Sequence, residues 1–205
     1  MGRVKTAVLI SGRGSNLGAL LAAAKAPDYP AEISLVVSNR AEAAGLDLAA
    51  MAGVPTRVLG SMRELEDVLA TAGVRLTCLA GFMRLIPAAL AERWRGRMLN
   101  IHPSLLPAFP GLDTHARALA AGVRLSGCSV HFVSAEVDAG PIIGQAAVPV
   151  LPEDTAETLA ARVLAAEHRL YPRCLALVAA GRVRWEAAGL VWQAEPARGQ
   201  LLNPA

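Results

Sequence analysis

Residues 98–111 read MLNIHPSLLPAFPG, and Asn100 and His102 stand two positions apart at the end of an apolar run. On a strand, whose side chains alternate between faces, this spacing puts the amide and the imidazole on one face and turns Ile101 away. An asparagine amide donates hydrogen bonds without changing protonation, whereas a histidine ring donates or accepts according to its charge. Together they suit an oxyanion developing on an acyl carbon, with His102 handling a proton. Pro103, Pro107 and Pro110 then stiffen the loop behind them. Asp138, in EVDAGPII, is a carboxylate that could partner the imidazole if folding brings it near.

A second group follows the first apolar run. SGRGSNLG (11–18) has the spacing G-x-G-x-x-x-G where a strand should turn into a helix, without the G-K-[ST] ending of a Walker loop. Gly14, Ser15 and Asn16, with the free N–H groups of a helix start, suit a monophosphate. The same loop is close to dinucleotide fingerprints, and Arg40 could meet a 2′-phosphate, so an NADP-linked reductase is a competing reading. A third stretch, LAGFMRLIP (79–87), is too apolar for an ordinary turn. It could line a slot for a flat aromatic ligand, with core packing as the plainer alternative.

The remaining chemistry-bearing residues read more plainly. His115 fits capping or packing near a helix start, and His131, inside an apolar strand, fits a buried hydrogen-bonded histidine, with support of a catalytic group as the alternative for either. No H-x-H or H-x-x-x-H spacing points to a metal, and none is expected. No serine or cysteine sits on a nucleophile elbow, so a covalent acyl-enzyme has no candidate. Cys78, Cys128 and Cys174 are scattered without a C-x-x-C, which suits a reducing cytoplasm.

Several elements must position these groups. Short apolar runs at 6–11, 32–38, 55–59, 76–80 and 98–101 alternate with helical patterns, predicting β-α-β units and a mostly parallel sheet covered on both faces. The runs 127–133 and 142–150 are joined by too few residues for a helical crossover, so they should pair antiparallel and make the sheet mixed toward the C-terminal half. A long helix over about 154–180 follows, with Asp154 or Thr155 as N-cap, then a weak strand at 183–186 and a patternless tail. A Rossmann-like α/β fold in one domain, 1–205, is the expectation, and a chain of 205 residues buries roughly 70% of its unfolded surface. A net charge of +3, 4% aromatics and no basic run give no sign of nucleic-acid binding. The N-terminus has no signal-peptide pattern and no run of about 18 apolar residues implies a membrane span, so a cytoplasmic protein is expected.

Taken together, LISGRGSNLGALL, LAGFMRLI, LNIHPSLLPAFPGLDTH, SVHFVSAEVDAGPII and EHRLYP resemble the phosphoribosylglycinamide formyltransferases, folate-dependent enzymes of purine synthesis. The resemblance runs in order from about residue 5 to 185. It implies transfer of a formyl group from 10-formyltetrahydrofolate to the amine of glycinamide ribonucleotide through a tetrahedral oxyanion, without a metal. Asn100, His102 and Asp138 would be the catalytic set. Gly14, Ser15 and Asn16 would hold the phosphate and Glu167 the glycinamide end. Arg63, Met83, Arg84, Leu85, Ile86 and Asn100 would meet the folate, under a loop at 134–140. The partners implied are these small molecules, for a monomer or homodimer. Cys128 stands where threonine is usual in relatives, and Asp113 where some have histidine. A folate-binding module without turnover competes with this reading, and so does hydrolysis of the formyl folate.

Overall fold

A computed structural model describes residues 2–193. Seven strands form one sheet: β1 (Val4–Ile10), β2 (Ala31–Ser38), β3 (Thr56–Val58), β4 (Leu76–Leu79), β5 (Met98–His102), β6 (Leu125–Phe132) and β7 (Ile142–Pro149). Their spatial order is β3-β2-β1-β4-β5-β6-β7. The pairs among β1 to β5 are parallel, and β6 runs antiparallel to both β5 and β7. The expected mixed sheet is therefore present, with its antiparallel part at the β7 edge.

The apolar strands serve two cores. In β1, Ala7 and Leu9 join one buried cluster while Val8 and Ile10 join the other, as a period of two requires. Helices α3 (Leu65–Thr71) and α4 (Ala88–Arg93) cover the first face. The other is covered by α1 (Ser15–Ala23), α2 (Gly45–Met51), α5 (Thr114–Ala120) and α6 (Ala156–Ala179). Tyr171 of α6 is fully buried, its hydroxyl 3.0 Å from the carbonyls of both Leu79 and Leu99, so one shared donor ties α6 to β4 and β5.

Thr155, one of the two expected caps, starts α6 in a reciprocal capping box with Thr158. Asp154 instead takes the guanidinium of Arg162 at 2.6 Å and the N–H of Leu151 at 2.7 Å. Strand β5 runs one residue further than expected and includes His102, because antiparallel pairing with Ser129 extends it. Val183–Glu186 is a strand, as expected, and pairs with a further one, Gly189–Trp192, in a two-stranded hairpin. The apolar pattern of 189–192 is too short to announce itself. The expected patternless tail falls largely on residues 194–205, which lie outside the described residues.

Candidate active site

Leu99 and Ile101 of β5 pack into the cluster beneath α6, which leaves Asn100 and His102 together on the opposite face. The connector between β6 and β7 folds back over that face. It brings Asp138 Oδ2 to 3.4 Å from His102 Nδ1, and its Oδ1 to 3.7 Å from His131 Nε2. His131 lies directly across from Asn100 in the antiparallel register, with 3.1 Å between Asn100 Nδ2 and His131 Nε2. His131 Nδ1 faces the carbonyl of Phe132 at 2.9 Å, so that nitrogen carries a hydrogen, while Nε2 stands between the Asn100 amide and Asp138 Oδ1. His131 is thus not only a core histidine, as its apolar strand suggested, but a member of the site. A cross-strand pairing of 131 with 100 was the missing signal, and it depends on register.

His102 is 5% exposed, and its second nitrogen, Nε2, lies 3.0 Å from the carbonyl of Phe109. Both ring nitrogens therefore face acceptors, and only a doubly protonated ring has a hydrogen for each. Phe109 and Asp138 both hold positive φ (53° and 54°), a region that non-glycine residues rarely occupy. Burial pushes the Asp138 carboxyl up. The His131 ring, the N–H of Gly111 and the charge on His102 outweigh it, and Asp138 titrates below the ordinary carboxylate range.

Asn100 and Asp138 open onto a cavity of about 420 Å³. The predicted slot residues Arg84, Leu85 and Ile86 line it, facing residues 134–137 of the β6–β7 connector. Leu85 is 73% exposed, an apolar edge of the cavity that no described residue covers. Two predicted folate residues are placed elsewhere. Met83 is 61% exposed and not among the lining residues; it is held by its backbone N–H, which donates to Ser11 Oγ at 2.7 Å. Arg63 is exposed in a 3₁₀ turn (Met62–Glu64), also outside the lining. In both cases the chain turns the side chain outward, which composition does not reveal.

At the end of β1, Gly14 takes a left-handed conformation (φ 76°) as the N-cap of α1. A Cβ there would approach Gly45 Cα to 2.8 Å, so the loop is packed against the start of α2 by glycine contact. Ser15 is exposed, while Asn16 is 7% exposed and its Nδ2 donates to Glu167 Oε2 at 2.7 Å. The fold therefore joins the predicted phosphate loop to the predicted glycinamide residue on α6. Burial raises the pKa of Glu167, against a smaller lowering by Asn16. Asn16 Oδ1 is buried without a partner among the described residues, an acceptor available for an N–H or O–H. Arg40 is exposed, and its backbone N–H and carbonyl close a turn with the Ser38 hydroxyl. His115 is half-buried, and burial and then the charge on His102 lower its pKa. Among the described residues no three His, Cys, Asp or Glu side chains are placed to share a metal ion, and no helix is long and apolar enough to cross a membrane.

A mixed sheet carrying an Asn–His pair beneath a folded-back aspartate has well-defined relatives. The chain belongs to the formyl transferase family, whose sequence profile matches residues 4–175. It is 52% identical over 201 residues to the trifunctional purine biosynthetic protein adenosine-3 of Gallus gallus, covering 93% of this chain and 20% of that one. The chain thus spans about a fifth of the length of that relative. It is 42% identical over 203 residues to the phosphoribosylglycinamide formyltransferase of Escherichia coli (strain K12), covering 94% of this chain and 96% of that one. The solved phosphoribosylglycinamide formyltransferase from Anaplasma phagocytophilum superposes with a TM-score of 0.90 at 46% identity, covering 94% and 95% of the two chains.

Proposed function

We propose that this chain transfers the formyl group of 10-formyltetrahydrofolate to the amine of N1-(5-phospho-D-ribosyl)glycinamide in purine synthesis, as one cytoplasmic formyltransferase domain over 1–205. The observation that carries the reading is the meeting of Asn100 and Asp138 at an apolar cavity, with His102 buried against Asp138. The Asn16–Glu167 pair beside the glycine loop supports it from the acceptor's side.

The roles follow from the donors and acceptors. The N–H groups of Ser15 and Asn16 at the start of α1 have no partner within the helix and meet the phosphate. Glu167, a buried carboxylate, holds the amine end, while the unpartnered Asn16 Oδ1 accepts from a substrate N–H or O–H. Leu85 and Ile86 grip the pterin against the 134–137 loop, and Arg84 lies at the cavity edge. Folate supplies an N10-formyl group, a reactive aryl amide, so positioning and electrostatics suffice. Asn100 donates its remaining Nδ2 hydrogen to the oxyanion formed on the formyl carbon as the amine attacks. His102, held between Asp138 and the Phe109 carbonyl, favours the oxyanion by its charge. It gives a proton to N10 as the bond to N10 breaks, and regains one from the amine, directly or through a water held by Asp138. Arg63 stands outside this set.

The test is formyl transfer from 10-formyl-5,8-dideazafolate to glycinamide ribonucleotide, followed by the absorbance of the deformylated product, for wild type and His102→Ala. Turnover that needs the acceptor and falls about 10²–10⁴-fold in the variant is expected. Turnover without acceptor would move the protein to the hydrolases, and binding of both ligands without turnover would sink the reading.

A further inference from the structure

We propose that Gln145 of β7 is a positioning residue for formyl transfer, acting through the 103–109 loop to hold the ring of His102 in place; the inference rests on the formyl-transfer reading above. Gln145 does not line the cavity, and nothing in the sequence singles it out. The strand register, however, puts His102, Ser129 and Gln145 side by side across β5, β6 and β7.

The direction of every hydrogen in this row follows from acceptors that cannot donate. Gln145 Nε2 lies 2.9 Å from the Leu106 carbonyl, so the amide must present its nitrogen there. The same nitrogen lies 2.9 Å from Ser129 Oγ. Ser129, fully buried, has one hydroxyl hydrogen, which goes to the Ser104 carbonyl at 2.7 Å. Its oxygen then accepts from Gln145 and from the Leu106 N–H at 3.0 Å. Three backbone groups of the loop, Ser104 C=O, Leu106 N–H and Leu106 C=O, are thereby tied to two side chains on the neighbouring strands. Ser104 Oγ carries the tie onward by donating to the Ala108 carbonyl at 2.6 Å. The next residue is Phe109, whose carbonyl faces His102 Nε2. An acceptor held there keeps a hydrogen on Nε2 and fixes the ring with Nδ1 toward Asp138, so that both nitrogens keep their acceptors.

Ser129 is the inner link, but its loss would also empty a fully buried site, so Gln145 at the outer end is the cleaner probe. Gln145→Met keeps a side chain of similar length and removes the donor. The expected result is a fall in kcat of about tenfold, the effect of losing one net hydrogen bond's worth of alignment, with KM for both substrates within about twofold of wild type and a displaced kcat–pH profile. In ¹⁵N-histidine spectra at alkaline pH, the share of the His102 hydrogen found on Nε2 should fall in the variant, as the Phe109 carbonyl loses its fixed place. Gln145→Glu serves as a second variant and decides the matter if the first does not fold. Its carboxylate cannot donate to Leu106, and kcat relative to wild type should recover as pH falls and the acid regains a hydrogen. A folded variant with lowered Tm but wild-type kcat, pH profile and His102 spectrum would overturn the proposal and leave Gln145 a core residue. Absence of transfer in wild type would instead overturn the underlying reading, while the spectra report on the tautomer independently.

Discussion

Asp138 Oδ2 stands 3.4 Å from His102 Nδ1 and accepts the backbone N–H of Gly111 at 2.9 Å. One carboxylate oxygen therefore faces the imidazole and the loop that carries the imidazole's other partner, Phe109. Replacing the charge while keeping the shape tests this geometry. Asp138→Asn is expected to lower kcat about 10²-fold or more, with smaller changes in KM, in steady-state formyl transfer.

The same carboxyl makes a prediction about acid stability. Its folded pKa lies below the ordinary value, so the stability it confers is complete above the unfolded pKa of about 3.9 and is lost as pH falls through the depressed folded value. The Tm difference between wild type and Asp138→Asn should be steady above about pH 5 and shrink below about pH 4. A difference that stays constant down to pH 2 would contradict the assignment.

Glu167 has the opposite sign. Burial raises its folded pKa, so its contribution to stability is fullest below the unfolded value of about 4.3 and declines as pH rises through the raised folded value. Glu167→Gln removes the buried charge and keeps an acceptor for Asn16. Thermal melts should show the variant gaining on wild type between pH 4 and pH 8, while its KM for the ribonucleotide rises. A Tm difference independent of pH would count against a penalised charge.

His131 holds the Asn100 amide across the β5–β6 pair. Its replacement by leucine should cut kcat about tenfold by freeing the amide to rotate, and Asn100→Ala should cut it about 10²–10³-fold by removing the donor. If His131 acts only through Asn100, the double variant is no slower than Asn100→Ala. Additive losses would show that His131 has a separate role.

Two glycines should respond in opposite ways to alanine. A Cβ on Gly140 would stand 1.7 Å from the Phe132 carbonyl, so Gly140→Ala should displace the 134–140 connector and destabilise by about 3 kcal/mol or more in urea titrations. Gly18 lies within α1 with nothing within 4 Å of an added Cβ, and Gly18→Ala should stabilise by about 0.5–1 kcal/mol.

What the sequence determined by itself is local. Apolar runs bounded by glycine and proline announced β1, β2, β4 and the long α6, and the period of a strand placed Asn100 and His102 on one face. Gly14 marked the turn into α1, since few other residues accept its φ. These features depend on neighbours within a few residues, which a sequence displays directly. The tertiary structure alone decided how distant segments meet. It set the antiparallel register that faces His131 toward Asn100, folded the β6–β7 connector back to deliver Asp138, and joined Asn16 to Glu167 across 151 residues. It also turned Arg63 and the Met83 side chain away from the cavity that their neighbours line. Such contacts arise from sheet order, register and loop return, which are settled by packing of the whole chain and leave no periodic trace in the residues concerned.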